Sequence, residues 1–212
     1  MGKIMDWLAG GLGWLLDGIV QFTGSYGISI ILSTIIVRLL LYPLTLSQNK
    51  NMVAMREIQP ELNELQKKYK DNPEEYQKKT MELYQKHKIN PLGGCLPMLL
   101  QLPILWAFFR VLRELPYGEA SKFLGVWVLS EPDKLFILPL LAALTTYFQS
   151  KMTPTADSSQ KSMLIVMPIM IGIFSISFPS GLVLYWITSN VFSIVQQAWL
   201  NKMYPVKQGG QG

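Results

Sequence analysis

The chain has 212 residues, half of them hydrophobic, a mean hydropathy of +0.24 and a formal net charge of +5. This is the composition of a membrane protein rather than of a soluble domain. The lone Cys95 excludes an intramolecular disulfide, and with one histidine, His87, an ordinary zinc site of three or four protein ligands is excluded too.

Residues 3–22 place Trp7, Leu8, Leu12, Leu15, Ile19 and Phe22 at helical spacing, which predicts an amphipathic helix lying in the membrane interface. Asp6 and Asp17 interrupt the apolar run and no small-residue cleavage site follows, which argues against a cleaved signal peptide. A retained signal-like anchor is the duller alternative.

Five stretches approach the roughly 20 apolar residues that a spanning helix needs. They are 27–46, 96–115, 135–152, 162–178 and 182–200. The expected fold class is therefore an all-α integral membrane protein, a five-helix bundle with an N-terminal interfacial helix and a cytoplasmic helical hairpin. Segment 47–95 supplies the hairpin: it is too long for a plain connector. One arm runs over about 50–69, with Met52, Met55, Leu62, Leu65 and Tyr69 as its apolar marks. Asn72 and Pro73 then suit the cap and first turn of a second arm reaching about Lys88. It reads either as a solvated hairpin or as an arm that meets an incoming chain, lipid headgroups or the ribosome. The loop 116–134 carries Phe123, Leu124, Val126, Trp127, Val128 and Leu129, a segment expected to rest at the interface.

Basic residues set the orientation. Lys50, Arg56, Lys67, Lys68, Lys70, Lys78, Lys79, Lys86 and Lys88 crowd segment 47–95. Lys151 and Lys161 flank the connection 153–161, Lys202 and Lys207 follow the last span, and the turn 179–181 has none. These charges predict the N-terminus outside and the tail 201–212 inside; Arg110 and Arg113 run against the pattern.

Arg38 is the outlier of the first apolar stretch. An arginine at the centre of a membrane helix costs about 2.5 to 17 kcal/mol depending on the reference state. With the first span running to residue 46, Arg38 lies roughly 13 Å from its inner end at about 1.5 Å per residue, beyond snorkelling reach. The predicted spans hold no acid except Glu114, at an outer end, so a hydrated polar groove open to the cytoplasm is expected. Thr34, Arg38 and Thr45 share a face; Trp186, Asn190, Ser193 and Gln197 form a second stripe; Thr145 and Gln149 are an i, i+4 pair; Gln101 is polar in the second span. The plainer reading of such stripes is interhelical hydrogen bonding. Met98, Met163, Met167 and Met170 offer an adaptable surface for unlike helices, or simply ordinary packing. A fixed cation in a wet notch of low dielectric attracts a carboxylate, for example on a polar tail crossing the membrane. No G-x-x-x-x-G-K-[ST] phosphate loop is present, so no ATP and no other cofactor is expected.

Four stretches carry a family resemblance: Thr34-Ile-Ile-Val-Arg38 with Tyr42-Pro43-Leu44-Thr45; Asn90-Pro91-Leu92-Gly93-Gly94-Cys95-Leu96-Pro97; Lys151-Met152-Thr153-Pro154-Thr155; and Phe178-Pro179-Ser180-Gly181-Leu182-Val183-Leu184-Tyr185-Trp186. In this order they resemble the YidC membrane protein insertases, with mitochondrial Oxa-type and chloroplast Albino-type proteins as wider relatives. The resemblance implies a bacterial plasma-membrane insertase and chaperone, not an enzyme. By the resemblance Arg38 matches the groove arginine, Thr34 and Trp186 lie near the path of the inserting segment, and Gln149 lies near a polar groove position; the polar stripe adds Asn190, Ser193 and Gln197 to the expected groove, and Met98, Met163, Met167, Met170 and Tyr185 are the expected apolar slide. Implied partners are newly made membrane proteins with short translocated tails, the lipid bilayer, and the Sec translocon and ribosome; no specific nucleic-acid binding is implied. No large extracytoplasmic domain, lipoprotein-type cysteine or strongly basic tail is seen, and the short tail puts ribosome docking there in doubt. A small-anion transporter using Arg38 is the first rival. An intramembrane protease is the second, and it would lack the needed Ser–His, paired-Asp or metal constellation.

Overall fold

A computed structural model describes residues 2–89, 96–113, 121–152 and 158–203. Apart from one short strand pair, the elements among the described residues are helices. α1 (Gly2–Thr23) packs its Ala9, Leu12 and Leu16 face into the main core and leaves Trp7, Trp14 and Phe22 exposed. Its buried stripe follows the spacing in the sequence.

α2 (Tyr26–Leu40) is followed by a single turn residue, Leu41, and by α3 (Tyr42–Glu57). The first predicted span, 27–46, is therefore not one straight helix. Its two parts bend by 59° at the break. Pro43 is the local cause: without an N–H it cannot serve the Leu39 carbonyl, and its ring disfavours helical geometry at the residue before it. Helical bonding resumes at once, with Thr45 N–H donating to Leu41 O at 3.0 Å. Among the described residues no single helix is long and apolar enough to cross a membrane by itself; α2 and α3 pass that test only together.

The predicted first arm of the hairpin is also two helices, α3 and α4 (Gln59–Lys68), because Pro60 starts a new helix rather than continuing the old one. α5 (Pro73–Lys86) begins where the sequence indicates. The Asn72 side chain accepts from Glu75 N–H at 3.2 Å, an N-cap. Ile58, Leu62, Leu83 and Ile89 form a separate small core that closes the hairpin.

α6 (Leu96–Arg113) carries Pro103 without a break, and α8 (Ser158–Ser175) does the same with Pro168. Between α6 and α7 (Ile137–Met152), β1 (Lys122–Phe123) and β2 (Trp127–Val128) pair antiparallel, Phe123 opposite Trp127. Leu124 and Gly125, at φ 53° and 70°, make the turn, and Val126 N–H donates to Phe123 O at 3.1 Å. The 121–129 part of the predicted interfacial loop is thus a folded hairpin: Leu129 is fully buried while Leu124 and Val126 are exposed. It lies against α2 so closely that a Cβ on Gly27 would overlap the Phe123 ring. Asp133 then caps α7, its two carboxylate oxygens accepting from Leu135 N–H and Leu138 N–H, each at 2.8 Å.

α8 starts at Ser158, inside the predicted 153–161 loop, and α9 (Ser180–Met203) runs past both ends of its predicted span. α9 is the shared strut. One face packs with α1, α2 and α6 through Leu182, Leu184 and Tyr185; the other meets α7 through Val183, Leu138 and Ala142. Gly181 permits the closest approach, since a Cβ there would stand 3.0 Å from Leu112 and 3.1 Å from the Leu129 carbonyl. The Asn90–Cys95 part of the second motif lies outside the described residues.

Candidate functional site

The break after Leu40 puts Arg38 in the last turn of α2 rather than mid-helix. There the exposed carbonyl ends of the helix favour a cation. Its side chain reaches across to α9 and α6. Nε donates to Ser189 Oγ at 3.1 Å, Nη2 donates to the same oxygen, and Nη2 also donates to Gln101 Oε1 at 3.4 Å. Gln101 in turn donates through Nε2 to the Tyr185 hydroxyl at 2.5 Å. Among the described residues no carboxylate lies within ion-pair distance of Arg38. The sequence reading expected a hydrated side chain; here neutral acceptors on α9 and α6 hold it. A guanidinium with several N–H groups and so few acceptors keeps donor capacity for an incoming anion.

Tyr185, expected on the apolar slide, is a core residue. It is 2% exposed and stacks on Phe108 with ring centroids 4.0 Å apart. Its hydroxyl points instead into the Arg38 network.

The predicted stripe on α9 divides between different neighbours. Trp186 Nε1 donates to Thr146 Oγ1 at 3.0 Å. The Asn190 amide is best satisfied with Oδ1 toward α7, accepting from Thr146 Oγ1 at 2.9 Å and Trp186 Nε1 at 3.2 Å. Both residues thus tie α9 to α7 and do not join Arg38. Ser193 Oγ donates back to Ser189 O at 2.9 Å, and Gln197 donates to Asn49 Oδ1 of α3 at 3.2 Å and to Asn201 at 2.8 Å. Thr34 is 1% exposed and donates to its own helix at Ile30 O, 2.6 Å away. Gln149 is half-buried, one turn beyond Thr145 on α7. Met167 is half-buried and Met170 exposed on α8; the side chains of Met98 and Met163 lie outside the described set.

Ser189 is the site residue that the sequence reading missed. It sits four residues after Tyr185 and seven before Gln196, which together mark one face of α9. The signal was present but weak: a serine among apolar residues ordinarily bonds to its own helix.

Residues 18–208 match the sequence model of the family described as 60Kd inner membrane protein. The chain belongs to the YidC insertase family. A membrane protein insertase YidC of Fusobacterium nucleatum subsp. nucleatum is 44% identical over 95% of this chain and 98% of its own length. The YidC of Caldanaerobacter subterraneus is 47% identical, covering 88% of this chain and 90% of that protein. A longer YidC from Helicobacter pylori is 42% identical over 97% of this chain but only 38% of its own length. A crystal structure of an active YidC insertase, with its first transmembrane domain resolved, superposes with a TM-score of 0.75 at 31% identity, covering 94% of this chain and 47% of that one. Two of the YidC-like motifs meet at the site: Arg38 belongs to one and Tyr185 to another, 147 residues later in sequence but joined through Gln101.

Proposed function

We propose that this protein is a membrane protein insertase that receives short polar tails of client proteins beside Arg38 and releases their apolar segments into lipid without ATP. The Arg38 arrangement carries the reading. A cation held at the end of an apolar helix by neutral acceptors offers an acidic or carbonyl-rich tail a partner that lipid cannot. Close relatives named as insertases support it.

In this reading the chain spans a bacterial plasma membrane five times, N-terminus outside and C-terminus inside. α1 lies in the outer interface, where the exposed Trp7 and Trp14 suit the headgroup level. Thr34, Gln149, Trp186, Asn190, Ser193 and Gln197 frame the polar path. Met167 and Met170, with exposed Ile169, Ile173 and Phe174 beside them, form the side on which an apolar client segment meets lipid. The Sec translocon and the ribosome are further proposed partners.

The test is insertion of a single-span client with a short acidic N-tail into liposomes that contain only this protein. Arg38→Ala should lower the insertion rate about tenfold or more, as expected for losing a hydrogen bond to a charged group. Arg38→Lys should retain part of the rate, since charge survives without the planar fork. Undiminished insertion by Arg38→Ala would overturn the mechanism. Chloride or phosphate flux that depends on Arg38 would favour an anion transporter instead.

A further inference from the structure

The interior of α1 holds Gly10, Gly11, Gly13 and Gly18. Glycine inside a helix is destabilising relative to alanine, and close packing is its usual compensation. Close packing does not account for Gly10 or Gly13. A Cβ on Gly10 would meet nothing within 4 Å, and one on Gly13 would only reach Val111 of α6 at 3.9 Å. Asp6, Gly10, Gly13 and Asp17 recur at intervals of four, three and four residues, so they share one face of α1. That face borders an open cavity of about 740 Å³ between α1 and α6, which Tyr26 and Arg110 also line. Its size is that of a ligand site. Both ends are charged. At one, Arg110 Nη1 donates to an Asp6 carboxylate oxygen. At the other, about three turns along α1, the exposed Asp17 accepts from the Tyr26 hydroxyl at 3.4 Å. One guanidinium stands with two carboxylates, so the lining carries both signs with a negative excess.

We infer that this cavity binds the headgroup of a zwitterionic phospholipid that carries a primary ammonium beside its phosphate. The phosphate meets Arg110, whose planar fork of five N–H donors can hold a carboxylate and a phosphate together. The ammonium donates to Asp17. Charge complementarity selects this class. The second carboxylate disfavours a headgroup that brings only negative charge, and a quaternary ammonium has no N–H to donate. Gly10 and Gly13 leave the room, while the exposed Trp7 and Trp14 suit a helix at headgroup level. The inference rests on α1 lying in the membrane interface; it goes beyond the insertase reading and requires no client.

The test uses the whole protein in detergent, with phosphatidylethanolamine, phosphatidylcholine or phosphatidylglycerol added in turn. Native mass spectrometry counts bound lipid, and the thermal midpoint follows the stabilisation that binding brings. Phosphatidylethanolamine should bind about tenfold more tightly than either of the others, as expected for a hydrogen bond to a charged group. Asp17→Asn keeps the size of the side chain and an acceptor for Tyr26 but removes the charge. It should erase the preference over phosphatidylcholine. Gly10→Leu fills the cavity and should abolish the preferred binding, whereas Gly10→Ala should retain it. Should Gly10→Leu unfold, Asp17→Asn carries the test alone.

Equal binding of the three lipids by wild type would overturn the inference. So would an ethanolamine preference that survives in either Asp17→Asn or folded Gly10→Leu. Client insertion is read separately: insertion that ignores Arg38, alongside intact lipid selectivity, would overturn the insertase site and leave the headgroup site standing.

Discussion

At the scale of single residues, Arg38 depends on its acceptors. Ser189 Oγ receives two donors from the guanidinium, and Gln101 receives one. Ser189→Ala removes the principal anchor while leaving the charge. Insertion of an acidic-tail client should fall severalfold, less than with Arg38→Ala, and the thermal midpoint should drop with a loss of about 1–3 kcal/mol. Equal insertion by Ser189→Ala and wild type would show that Ser189 does not position the arginine. Gly27 presents a steric case. Its missing Cβ is the space occupied by the Phe123 ring. Gly27→Ala should destabilise by about 1–3 kcal/mol through overpacking. Phe123→Ala made in the Gly27→Ala background should cost less than in wild type, and a thermal-melt double-mutant cycle measures that coupling. Additive losses would mean that the two residues do not press on one another.

At the scale of elements, proline acts according to its position. Pro60 and Pro73 lie in the first turns of α4 and α5, where the missing N–H costs nothing, and Pro43 stands just after a helix break. Pro103 and Pro168 lie inside α6 and α8, which continue through them. Asn72 makes the α5 start legible in sequence, and its bond to Glu75 N–H is seen. Asn72→Ala should cost about 1 kcal/mol locally. Hydrogen exchange in the first turn of α5 should accelerate about fivefold, with the amides of α9 unchanged; unchanged exchange in α5 would mean that Pro73 alone nucleates the helix. The Lys79–Glu82 pair, 2.8 Å apart, contributes less. Their mutual hydrogen bond holds the lysine above and the carboxyl below its usual range. The carboxyl contribution is present above the ordinary Glu value and lost as pH falls through the lowered one. Both groups are solvent-exposed, so salt screens the pair.

At the scale of the whole molecule, α9 joins two packing units. The first consists of α1, α2 and α6 with the strand hairpin; the second consists of α7 and α8. Gly172 of α8 meets Ala143 of α7 so closely that a Cβ at Gly172 would stand 3.1 Å from the alanine methyl. Ala143→Cys with Gly172→Cys, in a Cys95→Ser background, should form a disulfide on mild oxidation once the two helices part by a few tenths of an ångström, since bridged Cβ atoms stand about 3.5–4.5 Å apart. Gel mobility after a protease cut between α7 and α8 reads the bond. Failure to crosslink would mean that the α7–α8 pair is looser than described.

Composition and periodicity by themselves determined that the chain is helical and apolar, that Arg38 is a costly residue in an apolar run, and that Asn72 and Pro73 begin a helix. These properties depend on short-range chemistry: burial cost, backbone donors and local spacing. The tertiary structure alone decided where α2 ends, because the effect of Pro43 depends on what the following residues pack against. It alone showed that the Trp186 and Asn190 part of the α9 stripe serves α7 while the Tyr185 and Ser189 face serves Arg38. Positions along α9 differ by about 100° per residue, so adjacent polar residues address different neighbours. Spacing tells which residues share a face of one helix; only the packing of the other helices tells what that face meets.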